Sequence, residues 1–199
     1  MDLLIGVVIL IFSAILHEVM HGWVADKLGD PTARLMGRLT LNPIPHIDPL
    51  MSVVIPIILI LAHSPIIFGA AKPVPVNPMH LHDGKKDFAL VGLAGPLTNA
   101  VIAIIAAGLL HIVPADNFIA YILSLVVLYN LILAFINLIP IPPLDGSRVI
   151  TFLLPDDLAR KYLSIESFGI VILFLLLSFT NLGAVLFNLI TFSMHLLGL

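Results

Sequence analysis

Residues 3–25 read LLIGVVILIFSAILHEVMHGWVA, an apolar run with two histidines and a glutamate towards its far end. A helix needs about 20 apolar residues to cross a hydrocarbon core of roughly 30 Å. Counted from Leu3 at 1.5 Å per residue, His17 would lie roughly 21 Å into that core. An ionisable group at such depth costs on the order of 2.5–3.5 kcal/mol on insertion scales. Three of them in five positions, His17, Glu18 and His21, therefore call for a ligand. Residues four apart stack on one face of a helix, so His17 and His21 present two imidazoles side by side. That is a two-point chelate for Zn²⁺, and Glu18, one step round, can take a proton from water. The bland reading, polar helix residues facing other helices by chance, is much the weaker one.

The rest of the chain fits a membrane setting. Its 199 residues are 60% hydrophobic and 11% charged, with mean hydropathy +1.14; soluble domains run nearer half apolar and a quarter charged. The length suits one membrane-embedded domain over 1–199. Cysteine is absent, so any metal site must use His, Asp or Glu. A net charge of -3 with no basic stripe gives nucleic acid no footprint. The start lacks a basic region and a small-residue cleavage site, so it is expected to be a retained span.

Four segments are long and apolar enough to span: 3–25, 87–113, 118–139 and 166–188. The tail 184–199 is a sixth helix or the end of the fifth. The stretch 50–71 is apolar but broken by Pro56, His63 and Pro65. Charge decides how it runs. All nine cations fall in three connections: Lys27, Arg34 and Arg38; Lys72, Lys85 and Lys86; Arg148, Arg160 and Lys161. If 50–71 is re-entrant, all nine face the cytoplasm, as the positive-inside rule favours. The N-terminus is then outside. The expected fold is an all-α polytopic membrane protein of five to six transmembrane helices with one re-entrant segment.

Two histidines leave a catalytic zinc one protein ligand short. The run Asn137-Leu-Ile-Pro140-Ile-Pro142-Pro143-Leu144-Asp145-Gly146 ends the 118–139 span. Its prolines forbid a regular helix, and loosened backbone at membrane depth must be buried in protein or line a wet cavity. Asp145 either caps the next helix or completes a His₂Asp site; beside the paired histidines it is the strongest third-ligand candidate.

In combination, His17-Glu18-x-x-His21 and the Asn137–Gly146 run resemble the site-2 protease family of intramembrane metalloproteases. So do Gly37-Arg-Leu-Thr-Leu-Asn-Pro43, His46-Ile-Asp48-Pro49, Ala71-Lys-Pro-Val-Pro-Val-Asn77-Pro78 and Ala94-Gly95-Pro96-Leu-Thr-Asn99. The likeness is to the compact prokaryotic branch without a PDZ domain. It implies one zinc per chain on His17, His21 and Asp145, Glu18 as general base, and cleavage of transmembrane proteins or peptides in the lipid bilayer. A catalytic core of about 1–150 with C-terminal helices over about 151–199 follows. So does a multi-pass place in the cell membrane, with the active site towards the cytoplasm.

Other polar groups have two readings each. Lys72-Pro73-Val74-Pro75-Val76 puts its missing N–H groups on one edge. The donors of Lys72, Val74 and Val76 could take an unwound substrate by strand addition, making a short β-like strand or hairpin near the active site; the alternative is a rigid connector. Asn99 and Asn137 either hydrogen-bond a substrate carbonyl or developing oxyanion, or join helices. His46 and Asp48 are expected to make interfacial hydrogen bonds, with a second polar site the lesser reading. His63, His80, His82, His111 and His195 are expected to be solvated or structural. The function expected is an intramembrane zinc metalloendopeptidase. The alternatives are a transporter or ion pathway, disfavoured by few spans and no repeat, and a zinc-binding regulator without turnover, disfavoured by Glu18.

Overall fold

In lipid the backbone must satisfy itself, and the apolar runs do so as helices. The structure, a computed structural model, describes residues 2–62 and 71–199. Three long helices form its centre: α1 (Asp2–Lys27), α4 (Gly84–Leu110) and α5 (Phe118–Asn137). Between α1 and α4 lie α2 (Thr32–Leu35), a 3-10 turn at Ile44–His46, a π turn at Pro49–Val54, α3 (Ile55–Leu61) and a 3-10 turn at Pro78–His80. After α5 come α6 (Gly146–Leu153), α7 (Asp156–Leu163), α8 (Glu166–Phe179) and α9 (Leu182–Leu196).

Helix α4 packs against both other long helices. Its buried face repeats every fourth residue: Val91, Gly95, Asn99, Ala103 and Ala107. Small side chains let backbones approach closely where lipid gives no hydrophobic drive between helices. Ala103, Ala106 and Ala107 meet Val127 and Leu131 of α5, and Ile190 and Met194 of α9 pack on the same cluster. Outward faces are apolar instead: Val8, Phe12, Ile104, Ile105, Phe174 and Phe187 are all exposed. Such a surface is suited to lipid.

Among the described residues three helices are long and apolar enough to cross a membrane, where five to six spans were expected. A fourth crossing is reached only if α7 and α8, bent by 69°, count as one. The 166–188 run is broken because Thr180 adopts extended backbone (φ −128°, ψ 174°). Its hydroxyl donates to the Leu176 carbonyl at 2.6 Å and accepts from Leu182 N–H at 3.2 Å. This side chain offers the backbone a local alternative to continuing the helix. The tail is thus a separate helix from Leu182. The described part of the 50–71 segment, through Leu61, covers roughly 20 Å as helix, with exposed Ile57, Ile58 and Ile60. The rest of the expected re-entrant segment, His63 included, lies outside the described residues.

No strand forms among the described residues, so the expected β-like hairpin is not seen. Lys72–Val76 has no ladder to join because its donors go elsewhere: Lys72 N–H to the His46 carbonyl at 2.8 Å and Val74 N–H to Glu18.

The three cation-bearing connections are tied to one another. Arg38 reaches the carbonyls of Lys72 and Pro73, Lys85 pairs with Asp156 at 2.6 Å, and His82 N–H donates to the Leu28 carbonyl. His111, at the other end of α4, bonds the Leu197 carbonyl through Nε2.

Candidate metal centre

Both histidines point from α1 towards α4, and Gly95 makes room for them. A Cβ at Gly95 would lie 2.5 Å from Nε2 of each imidazole. Asp145 arrives from the loop between α5 and α6, where Gly146 packs so close to the Leu138 carbonyl that no Cβ would fit. The three side chains are buried, at 5%, 3% and 5% exposure. Asp145 Oδ2 lies 2.9 Å from His17 Nε2 and 3.1 Å from His21 Nε2, and the two Nε2 atoms are 3.0 Å apart.

The remaining ring nitrogens fix the tautomers. His21 Nδ1 lies 2.6 Å from the Val91 carbonyl, which can only accept, so Nδ1 carries the proton. His17 Nδ1 lies 2.6 Å from Asn99 Oδ1. The Asn99 amide is oriented by its own donations, to Asn130 Oδ1 at 2.8 Å and the Ser13 carbonyl at 3.4 Å, so its oxygen faces His17. Both Nε2 lone pairs then converge on a carboxylate oxygen with no proton between them. Three acceptors so close repel one another unless a cation sits among them. A tetrahedral zinc with bonds of about 2.0–2.1 Å holds its donors roughly 3.3 Å apart, close to the spacing found. Among the described residues, this is the only cluster of three His, Asp or Glu groups whose ligand atoms lie that near one another. The donor set therefore fits Zn²⁺.

Glu18 is beside the centre, half-buried, with Oε2 accepting from Val74 N–H at 2.8 Å. The other carboxylate oxygen of the Asp145 pair, Oδ1, faces Arg148 Nη1 at 3.4 Å. Arg148 in turn lies over the Phe88 ring, 5.3 Å from its centroid.

Of the other expected site residues, Asn99 is fully buried and its whole amide is used by His17, Asn130 and Ser13. Asn137 donates to the Leu133 carbonyl at 2.9 Å on its own helix. His46 bonds the Thr40 carbonyl through Nε2, and His80 bonds Asp30. Two supporting residues escaped the sequence reading, Ser13 and Asn130; Asn130 donates to Ser13 Oγ at 2.9 Å. Both had a signal. Ser13 sits four residues before His17 on the same helix face, and Asn130 is polar in mid-span, where polar groups mark function. An apolar groove of about 400 Å³ lies between α1 and α4, lined by Met20 and Val24 of α1 and by Ala94, Leu97, Thr98 and Val101 of α4.

Comparison with known proteins supplies the lineage. A Bacillus subtilis protein named "Putative zinc metalloprotease YwhC" is 39% identical over 191 residues, covering 89% of this chain and 81% of its own length. The chain belongs to the site-2 protease family. Within this family, the similarly named Rip2 of Mycolicibacterium smegmatis is 28% identical over 94% of this chain and 73% of its own. Rip2 of Mycobacterium tuberculosis is 28% identical over 94% of this chain and 71% of its own. No family model and no solved structure matches the chain.

Proposed function

We propose that this site-2 protease homologue is an intramembrane zinc metalloendopeptidase that hydrolyses peptide bonds in or near transmembrane segments. The observation that carries it is the convergence of His17 Nε2, His21 Nε2 and Asp145 Oδ2 with both Nδ1 protons turned away. His17, His21 and Asp145 are the proposed ligands of one Zn²⁺. When bound there, zinc supplies a Lewis acid for the scissile carbonyl and for water. Glu18 takes a proton from the attacking water as the carbon–oxygen bond forms. It then gives that proton to the nitrogen of the breaking bond, so the leaving group departs as a neutral amine.

The groove between α1 and α4 supports lateral entry of a membrane-embedded substrate, since its lining is apolar and adjoins Gly95 and His21 in sequence. The whole of 1–199 is read as one membrane domain, and its apolar spans support a setting in the cell membrane. The joined cation-bearing connections support placing them together in the cytoplasm, with the N-terminus outside. The site then opens on the cytoplasmic half of the bilayer. A substrate helix must be unwound before hydrolysis, and Val76 and Asn137 remain proposed contacts for it. For Lys72 and Val74 the N–H groups already have partners, which favours a role other than strand addition.

The test is cleavage of a transmembrane substrate by the parent and by Glu18→Gln, with zinc measured in both. The expected result is lost cleavage and retained zinc in the variant, and loss of parental activity on chelation. Full activity in Glu18→Gln would remove the base assignment.

A further inference from the structure

The stretch Lys72–Val76 crosses the site as a strap, and its contacts turn inward. Val74 is buried at 5% exposure and its N–H meets Glu18 Oε2. Arg38, also buried at 6%, donates through Nη2 to the Lys72 carbonyl at 2.8 Å and the Pro73 carbonyl at 3.3 Å. His46 accepts from Lys72 N–H through its carbonyl, and its ring closes the same turn on Thr40. Gly22 lets the strap approach α1, since a Cβ there would lie 2.7 Å from Val74 Cγ1 and from Leu39 Cδ2.

A guanidinium is costly to bury unless its donors find partners. Here Nη2 meets two carbonyls of a proline-containing segment, while Nε, also buried, has no hydrogen-bond partner. Pro73 and Pro75 have no N–H. Val74 therefore offers the one backbone donor between them, and it is spent on Glu18. The terminal torsion of a glutamate is otherwise broad, so a fixed donor on one oxygen decides where the other points.

Given that Glu18 is the general base, we infer that the strap is a positioning element for it. Arg38 is the positioning residue that sets the strap. Val74 N–H pins Oε2, which leaves Oε1 as the oxygen that receives the proton. The prolines serve to isolate that single donor.

The test compares Arg38→Ala, Arg38→Lys and Val74→Pro with the parent and with Glu18→Gln, all in proteoliposomes. Residue 74 precedes a proline and is already confined to extended backbone, so proline is tolerable there. Two quantities are read: amide exchange at Val74, and kcat and KM on a doubly labelled single-span peptide with a central Gly-Pro pair. In Arg38→Ala, Val74 exchange is expected to quicken about tenfold as its hydrogen bond opens. In Arg38→Ala and in Val74→Pro, kcat is expected to fall roughly ten- to a hundredfold, as for a catalytic group displaced by about an ångström. KM and bound zinc stay at the parental level. Arg38→Lys restores part of kcat, and combining Arg38→Ala with Val74→Pro adds no loss beyond Val74→Pro alone.

Unchanged Val74 exchange in Arg38→Ala would overturn the inference. So would a loss confined to KM, the mark of a substrate edge, or parental kcat in Arg38→Ala. Should Val74→Pro not fold, the two Arg38 variants and the exchange measurement decide. A Glu18→Gln variant with parental kcat defeats the base assignment itself. An inactive Glu18→Gln beside a parental Arg38→Ala defeats only the strap.

Discussion

His17 is held at both ring nitrogens, and the outer hold is as much a part of the site as the inner one. Asn99 fixes its tautomer and is itself fixed by Asn130 and Ser13. Partners of this kind commonly contribute 10–100-fold to metal affinity. Asn99→Ala is expected to weaken zinc binding by about that factor in competition with a chelator. Unchanged affinity with lost turnover would instead return Asn99 to an oxyanion role. A second buried acid, Asp30, anchors the connection after α1. Burial alone would raise its pKa, but bonds from Thr32 Oγ1, from the N–H groups of Asn77 and Thr32, and from His80 outweigh it, and the net shift is downward. A depressed carboxylate stabilises the fold above its unfolded pKa of about 3.9 and loses that contribution as pH falls through the folded value. The parent's melting temperature should therefore drop as pH falls below about 4. Asp30→Asn should lower it at neutral pH, by roughly 1.5–3 kcal/mol of stability, and flatten the acid limb. An acid limb identical in parent and variant would exclude Asp30 as its source.

Two elements carry the site, and their legibility differs. α1 was readable because a four-residue spacing on an apolar run leaves little freedom: the same face must hold His17 and His21. The Asp145 loop was readable because prolines at 140, 142 and 143 forbid helix just where a third ligand is needed. The backing of that loop was not, because it comes from far along the chain. Gly169 of α8 lies so close that a Cβ there would run into the Pro142 carbonyl. Gly169→Ala should push α8 off the loop and lower melting temperature and zinc retention together; a stable variant with full zinc would mean the two elements move independently. Lys72–Val76 is legible only in part. Alternating prolines do signal extended backbone, but the Val74 donor finds Glu18, 56 residues away, and no local pattern encodes that distance. Nor does the overall hydropathy of 166–188 register the hydroxyl of Thr180, which ends α8.

At the scale of the molecule, composition alone assigned the chain to lipid, and the packed core is correspondingly small-residue and helix-on-helix. The count of spans did not follow from composition, because α8 and α9 are 14 and 15 residues long and neither meets the length of a crossing. The proposed orientation is supported by the links among the cation-bearing connections. Single cysteines placed at Lys27, Lys85 and Lys161 should all resist an impermeant thiol reagent in intact cells and react after lysis, while one at Ile112 should react from outside. External labelling at Lys85 would reverse the assignment. All of this surrounds one cation. The most direct measurement is zinc-edge X-ray absorption on purified protein carrying its own metal. Two imidazole nitrogens at about 2.0–2.1 Å with a carboxylate oxygen, one zinc per chain, and loss of the imidazole signal in a His17→Ala, His21→Ala double variant are predicted. A zinc shell without imidazoles, or full zinc in that double variant, would contradict the account.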